Sequence, residues 1–318
     1  MEMIHLDTPV TATGCINITA LILLPRRPSP VSEFATTSSN VNHMESDLYQ
    51  PGNIVYTDQH ALKSSDGINA YLITGNSTQP GYKEGTRAQA RFHNIYGFTQ
   101  ISEKTIVLAD TWNHCLRTVD RVTGVTSTFS GRCGEAGYGA GRPGQFRYPY
   151  AVARDVNDAD QLLITDSGNK AVRTVAIKTG VAGTFVKSDL LAVLRYLTQD
   201  KDGNMFVTAG QALYRISYNS KKITLIAGSP SEKGYKDLDL SNSRFNYPYD
   251  VALVGPGNLL VGDPGNQKVR FVDLNANQVS TINMCNGCST LRSPHSMLIH
   301  NGSMYIGQNK RIQKYAGE

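Results

Sequence analysis

The residue types that most suggest catalysis lie together in the segment ADTWNHCLRTVD, residues 109–120. It contains Asp110, the sole tryptophan Trp112, His114, Cys115 and Arg117. A carboxylate, an imidazole, a thiol and a guanidinium at this spacing are the groups of acid–base or nucleophilic catalysis. Two further segments decide whether this is an active site, because they repeat part of it.

The frame of this segment recurs in LITDSGNKAVRTVA and LVGDPGNQKVRFVD. Each copy has an apolar run, then Asp, then Asn three residues later, then Arg four residues after the Asn. The repeated residues are Asp110, Asn113, Arg117, Asp166, Asn169, Arg173, Asp263, Asn266 and Arg270. Weaker copies lie at residues 56–66, 206–216 and 304–315. The pattern therefore indicates six copies of one unit.

The repetition assigns a structural role to the Asp, Asn and Arg of the opening segment. His114 aligns with Lys170 and Gln267, so the repeat does not retain an imidazole, and we predict no catalytic residue here. Asn suits a tight turn between two strands, because it tolerates left-handed φ and bonds its own backbone. The Arg can reach a neighbouring carboxylate or carbonyl.

A second motif runs from Gly-Tyr to Phe, as in GYKEGTRAQARF, and an apolar strand follows it. Together the two motifs divide each unit into four short strands. The Asp residues at 58, 110 and 166 are 52 and 56 residues apart. A four-stranded sheet at such a period is typical of a propeller. The sequence predicts an all-β, six-bladed β-propeller of four-stranded antiparallel blades.

These motifs resemble the NHL-repeat family over residues 50–315. The residues that carry the resemblance are ADTWNHCLRTVD, TDSGNKAVRTV and GDPGNQKVRFVD, with the Gly-Tyr…Phe…Pro spacers. The resemblance implies a six-bladed propeller. It is specific for the fold and leaves the function open.

Two domains follow from this pattern. The propeller spans 50–318, and its last copy ends after a third strand, so we expect a strand of the N-terminal segment 1–49 to close the ring. The apolar run INITALILL, about 16–24, is the candidate closing strand. The Ser/Thr/Pro-rich stretch 26–46 is predicted to be flexible.

Composition restricts the remaining classes. The formal charge is +5, from 31 basic and 26 acidic residues, and no apolar run approaches the ~20 residues of a membrane span. The chain has five cysteines. The CxxC of Cys285 and Cys288 is a candidate disulfide or a pair of free buried thiols rather than a metal site. Asn17, Asn76 and Asn301 begin N-glycosylation sequons. These features favour an extracellular or secretory location over the cytoplasm, and they imply no cofactor.

The first strand of each blade lines the axis of a propeller, so the starts of these strands surround one mouth of the channel. The residues predicted there are Tyr96, Tyr150, Tyr196, Tyr249, His295 and Arg195. Aromatic rings with polar edges suit the capture of a ligand. We predict a monomeric, non-catalytic domain that binds a protein or peptide at this mouth. The alternative is that the rings only pack between blades.

Two other functions stay open. Amidating lyases resemble such propellers and hold zinc with axial histidines, but His295 is the one histidine at these positions and cannot alone form a three-ligand site. A calcium-dependent lactonase would need axial carboxylates, and only Asp250 is near. RNA binding would use a basic face. The arginines near the strand starts are Arg147, Arg195, Arg244 and Arg292.

Overall fold

A computed structural model describes residues 15–17, 31–283 and 291–315 of the chain. Within these ranges the strands form six separate sheets, and helical structure is limited to three-residue 3-10 turns. The all-β, six-bladed propeller predicted from the sequence is confirmed. No helix in the described ranges is long and apolar enough to cross a membrane.

The blades are numbered along the chain by their first strands. Blade 1 consists of β3 (Met44–Ser46), β4 (Ile54–Asp58), β5 (Ala61–Ser65) and β6 (Ala70–Gly75). Blade 2 consists of β7 (Ile95–Gln100), β8 (Thr105–Asp110), β9 (Cys115–Asp120) and β10 (Thr126–Ser130). Blade 3 consists of β11 (Pro149–Arg154), β12 (Gln161–Asp166), β13 (Ala171–Ala176) and β14 (Ala182–Lys187).

Blades 4 to 6 complete the ring. Blade 4 consists of β15 (Leu194–Gln199), β16 (Met205–Ala209), β17 (Ala212–Ile216) and β18 (Ile223–Gly228). Blade 5 consists of β19 (Val251–Gly255), β20 (Asn258–Asp263), β21 (Lys268–Asp273) and β22 (Gln278–Asn283), with the short β1 (Cys15–Asn17) parallel to β22. Blade 6 consists of β23 (Ser296–His300), β24 (Ser303–Tyr315) and β2 (Val31–Asn40).

Each sheet places its first strand at the axis. β11 contacts β7 on one side and β15 on the other, β19 contacts β15 and β23, and β23 contacts β3. Apolar side chains fill the space between successive blades. Val55, Leu62 and Ile73 of blade 1, for example, form one cluster with Phe92 and Phe98 near the start of blade 2. A single sheet could not bury both faces, so the closed ring supplies the core.

An N-terminal strand closes the ring, as expected, but it lies further along the chain. β2 pairs antiparallel with residues 309–315 of β24, while residues 303–307 of β24 pair with β23. The stretch 26–46 was expected to be flexible, yet 31–40 and 44–46 are strands. Polarity misled the prediction, because a closing strand at the outer edge of a blade faces solvent. Of the expected strand 16–24, residues 16–17 belong to β1 and 18–24 lie outside the described residues.

The repeated Asp ties an inter-blade loop to the turn between the second and third strands. In blade 3, Oδ1 of Asp166 accepts a hydrogen bond from the backbone N–H of Arg147 at 2.7 Å. Its Oδ2 accepts from Nδ2 of Asn169 at 2.7 Å and from Nη1 of Arg173 at 3.0 Å. The same bonds recur in blades 2 and 5. Both carboxylate oxygens therefore accept hydrogen bonds that stabilise the fold.

The Asn of the repeat has a different role from the one expected. It ends a 3-10 turn, and the residue after it adopts the left-handed conformation: His114, Lys170 and Gln267, at φ of 60°, 54° and 56°. The Asn side chain is used instead as a double donor. Nδ2 of Asn169 also bonds the carbonyl of Gly137 at 2.7 Å, which holds the Gly-Tyr motif against the turn.

The Arg of the repeat explains the Gly-Tyr…Phe motif. The guanidinium carbon of Arg173 lies 4.7 Å from the Tyr138 ring centroid and 5.2 Å from that of Phe146. The buried cation is thus enclosed by two aromatic rings. Equivalent sets are Arg117 with Tyr82 and Phe92, and Arg270 with Tyr235 and Phe245.

A disulfide joins Cys115 of β9 to Cys133 in the loop that follows β10. Sequence alone did not single out this pair, because the two residues belong to different elements and share no spacing motif. The expected pairing of Cys285 with Cys288 falls outside the described residues.

Candidate functional site

A β-bulge at the start of the first strand in blades 2, 3 and 4 shapes the axis. In each bulge, two residues of the first strand lie opposite a single residue near the end of the second strand. In blade 3, for example, Pro149 pairs with Asp166 and Val152 with Ile164, so Tyr150 and Ala151 face Thr165. A bulge re-aims the side chains it contains, and here it directs residues toward the channel.

The first residue of each of these bulges, with the residues at the corresponding positions of the other three blades, makes up a set of six positions that we call the axial ring. Its members are Asn42, Tyr96, Tyr150, Arg195, Tyr249 and His295. The next residue in each blade defines the inner layer, one step further along the strands. Its members are His43, Gly97, Ala151, Tyr196, Asp250 and Ser296.

The aromatic members of the axial ring contact one another. Tyr96 and Tyr150 stack with centroids 4.4 Å apart and planes at 2°. The Tyr249 ring is tilted against both, at 6.5 and 6.4 Å, and its edge meets His295 at 4.8 Å. Tyr96, Tyr150 and His295 are half-buried, whereas Tyr249 is buried. The structure therefore brings the expected residues together as one partly open aromatic surface.

Tyr196 departs from the expectation that it lines the mouth. The strand register makes Arg195, not Tyr196, the residue of blade 4 that is equivalent to Tyr150 of blade 3. Tyr196 is buried in the inner layer, where its hydroxyl donates to the carbonyl of Tyr96. Aligning the blades by their tyrosines conceals this offset of one residue. Aligning them by the last residue of the second strand, which comes just before the turn, reveals it.

Sequence reasoning missed two residues at the axis, Asn42 and His43. Both lie in the stretch that was taken for a flexible loop. The hydroxyl of Tyr249 donates to Oδ1 of Asn42 at 3.4 Å, and the His43 ring stacks on Tyr196 at 5.5 Å. The identity of the closing strand was the missing information.

The carboxylates of the channel lie near His43. Oε1 of Glu45 is 3.5 Å from Nε2 of His43. Asp250 accepts the backbone N–H groups of Val251 at 2.9 Å and Met297 at 2.7 Å. Burial raises the pKa of the Asp250 carboxyl to about 6, and His43 opposes that rise. Both acids are therefore engaged below the axial ring.

The His295 ring is oriented by a backbone carbonyl. Its Nδ1 donates to the carbonyl of Ser293 at 2.7 Å, a tautomer assigned from this contact. Burial lowers the pKa of the imidazole. Among the described residues, no three of His, Cys, Asp and Glu come together as a ligand set for a metal ion. His295 thus has aromatic neighbours where an amidating lyase would have further histidines.

Further apolar side chains are exposed on the same face of the propeller. Inter-blade loops and turns between second and third strands share that face, because successive strands run in opposite directions. The Trp112 ring, 47% exposed, stacks on His93 at 5.7 Å and meets Tyr148 at 5.3 Å. Val193 and Tyr247 are also exposed there. Trp112 is off the axis, and its neighbour Tyr148 precedes Tyr150 by two residues in the chain.

The four arginines near the strand starts do not form one open surface. Arg244 is paired with Glu232 at 2.9 Å, and the Arg195 side chain is buried. Arg147 and Arg292 are exposed. This arrangement gives little support to a nucleic-acid track, which needs a continuous row of free cations.

The two sequons that fall on fully described residues are in surface turns. Asn76 follows β6 and is half-buried, and Asn301 is exposed in the turn between β23 and β24. Asn17 belongs to β1, and its side chain lies outside the described part of the structure. Glycosylation at these sites stays a prediction.

Comparison with known proteins shows similarity of fold. No family model matches the chain. The Arabidopsis thaliana protein SUPPRESSOR OF QUENCHING 1, chloroplastic, is 25% identical over 264 residues, which are 72% of this chain and 25% of that protein. The chain thus matches only about a quarter of that relative.

Two solved structures place the chain among propellers. An auxiliary nutrient binding protein from Bacteroides ovatus superposes with a TM-score of 0.67 at 16% identity, covering 91% of this chain and 72% of that one. A streptogramin B lyase superposes with a TM-score of 0.56 at 12% identity, covering 90% and 96%. At such identities these likenesses establish the fold alone.

Proposed function

We propose that this protein is a non-catalytic binding module that holds a protein or peptide partner at the axial ring. The observation that carries the proposal is the half-buried stack of Tyr96 on Tyr150 beside the buried rings of Tyr196 and Tyr249. Rings needed only for packing would be covered on both sides. These two keep an accessible surface that an apolar or aromatic group could cover.

The surroundings of the ring favour a partner larger than a metabolite. Trp112, Val193 and Tyr247 are exposed on the same face and extend the contact area beyond the channel. Large apolar side chains that share a face with a concave aromatic site are typical of interaction surfaces. A peptide segment could insert one side chain at the axis while its flanks contact these residues.

The fold does not choose between functions, since propellers of this shape occur in a nutrient-binding protein and in a lyase. The repeat motifs support membership of the NHL-repeat family. The disulfide and the accessible sequon at Asn301 support an extracellular or secretory location. The choice of a binding role rests on the axial ring.

The proposal is tested by selecting peptides from a random library on the wild-type protein. The selected peptides are then measured against Tyr150→Ala by isothermal titration calorimetry. We expect at least about a tenfold weaker affinity, since covering an aromatic surface contributes on the order of 1.5 kcal/mol or more. Tyr71→Ala is the matched control, because Tyr71 is an exposed tyrosine of the outermost strand of blade 1.

If the peptides bind Tyr150→Ala as tightly as the wild-type protein, the axial ring is not the site. The melting temperature of each variant is measured in parallel, so a loss of affinity in a folded protein is separated from a loss of fold.

A further inference from the structure

Arg195 is the sole cationic side chain of the axial ring. The corresponding positions in the other blades hold Asn42, Tyr96, Tyr150, Tyr249 and His295. In blades 3 and 5 the axial-ring position holds a tyrosine, whereas in blade 4 the residue that follows Leu194 is an arginine. Blade 4 also lacks the Asp and Asn of the repeat, so Arg195 serves no Asp–Asn–Arg set.

The guanidinium is fixed at one of its terminal nitrogens. Nη1 donates to the carbonyl of Gly210 at 3.2 Å and to that of Pro248 at 3.1 Å. These two bonds use both protons of Nη1. In the described part of the chain, Nε and Nη2 donate to no protein acceptor, and neither is a buried polar atom. An anchored guanidinium therefore keeps its side edge available.

No carboxylate of the described residues lies within ion-pair distance of Arg195. The acids of the channel have other partners: Glu45 accepts from the backbone N–H and the Nε2 of Gln100, and Asp250 accepts from two backbone N–H groups. The neighbours of the cation are aromatic: its guanidinium carbon lies 5.7 Å from the Tyr247 centroid and 6.0 Å from that of Tyr249.

A buried cation without a counterion is costly, and an anion beside it offsets that cost. Arg195 is only 9% exposed, and burial lowers the pKa of its guanidinium. Nε and Nη2 of an arginine form the parallel pair of donors that matches the two oxygens of a carboxylate. The side edge of Arg195 thus has the geometry of a carboxylate receptor next to an aromatic surface.

We propose that the axial ring selects peptides that bear a carboxylate, which accepts hydrogen bonds from Nε and Nη2 of Arg195 while an adjoining group covers Tyr96 and Tyr150. This inference rests on the proposed binding function and names its ligand class. The carboxylate could come from an Asp or Glu side chain or from a free C-terminus, and the experiment separates these sources.

The test uses four pools of random octapeptides on the immobilised full-length protein. The pools contain or lack Asp and Glu, and each is made with a free or an amidated C-terminus. We expect the wild-type protein to retain peptides with a carboxylate at least about tenfold more than the neutral amidated pool, since a charge-assisted bond contributes this much. Preference for acidic amidated peptides indicates side chains, and preference for neutral free acids indicates the C-terminus.

Variants assign the preference to one residue. Arg195→Met should remove it while retention of the neutral amidated pool stays at the wild-type level, because the aromatic rings remain. Arg195→Lys should keep part of it. Arg215→Met is the matched control, since Arg215 is an exposed arginine of the third strand in the same blade. If Arg195→Met does not fold, the alternative test is to measure the wild-type preference for carboxylate peptides in 0.5 M NaCl and to compare it with that of Arg195→Lys. Loss of the wild-type preference at this salt concentration is the expected result.

The outcomes are distinguishable. Retention of carboxylate and neutral pools alike, with sensitivity to Tyr150→Ala, overturns this inference and leaves the binding function standing. Retention of no pool, or retention that Tyr150→Ala does not change, overturns the proposed function itself. A carboxylate preference that persists in Arg195→Met places the receptor elsewhere and also refutes the inference.

Discussion

Two arginines of the repeat, Arg173 and Arg117, occupy the same place in neighbouring blades but have different partners. Arg173 bonds Asp166 and also donates to the carbonyls of Gly183, Gln145 and Gly139 at 2.7, 3.0 and 2.6 Å. Arg117 bonds only the carboxylate of its own repeat, at 3.2 Å. Its Nε and Nη2 are buried without an acceptor. We therefore predict that Arg173→Met destabilises the protein more than Arg117→Met.

The magnitudes follow from these contacts. Arg173→Met leaves a buried carboxylate without its cation and removes the guanidinium donor from three carbonyls, although that of Gly139 keeps a backbone donor, the N–H of Gln145; such a loss costs about 3–5 kcal/mol. Arg117→Met also leaves a carboxylate unpaired, but it relieves orphan N–H groups that cost about 1–3 kcal/mol. The expected losses in the free energy of unfolding are about 3–5 kcal/mol for Arg173→Met and about 1–3 kcal/mol for Arg117→Met.

Equilibrium unfolding in urea, followed by circular dichroism without reductant, measures both values. The slope of the transition is compared among the proteins to check that the unfolded states are alike. Equal losses, or a larger loss for Arg117→Met, would refute the reasoning that the carbonyl bonds distinguish the two blades.

Three further predictions concern other parts of the ring. Nδ1 of His60 accepts from the backbone N–H of Asn94 at 2.9 Å, and burial beside another imidazole lowers the pKa of His60 from 6.5 to about 4. The neutral ring thus contributes up to about 3 kcal/mol to the free energy of unfolding, which is present above pH 6.5 and lost as the pH falls toward 4. His60→Gln should flatten the dependence of the unfolding free energy on pH in this range, and an unchanged slope would contradict this. Replacing both Cys115 and Cys133 by Ala should lower the free energy of unfolding by about 3 kcal/mol, as expected for a separation of 18 residues; non-reducing mass spectrometry that finds two free thiols would refute the bond. Asp58 accepts two backbone N–H groups of the ring-closing strand β2 at 2.9 and 3.2 Å, so Asp58→Ala should speed limited proteolysis within β2 but not within blade 3.

The propeller itself could be predicted from the sequence because its signals are local and repeated. An apolar run that ends in Asp-x-x-Asn, followed by Arg, identifies a hairpin without knowledge of its neighbours. Ring closure could not be located in this way. β2 is polar, carries no repeat motif and pairs with residues more than 260 positions away, so nothing local distinguishes it from a linker.

The candidate site was predictable in its composition but not in its register. Tyr96, Tyr150, Tyr249 and His295 meet as expected, since equivalent positions of a repeat converge on the axis. The register that places Arg195 in the axial ring and Tyr196 in the inner layer depends on which residues of the second strand they face. A search for aromatic residues does not detect it. The resulting difference is one of chemistry, because it puts a cation in the ring and a tyrosine beneath it.

The most direct test of the account is a crystal structure of the protein with a peptide selected from the acidic pool. We predict electron density for the peptide at the axial ring, with a side chain against the stacked rings of Tyr96 and Tyr150 and a carboxylate at Nε and Nη2 of Arg195. A peptide bound on the outer strands of a blade or on the opposite face, with Tyr96 and Tyr150 uncovered, would contradict the account.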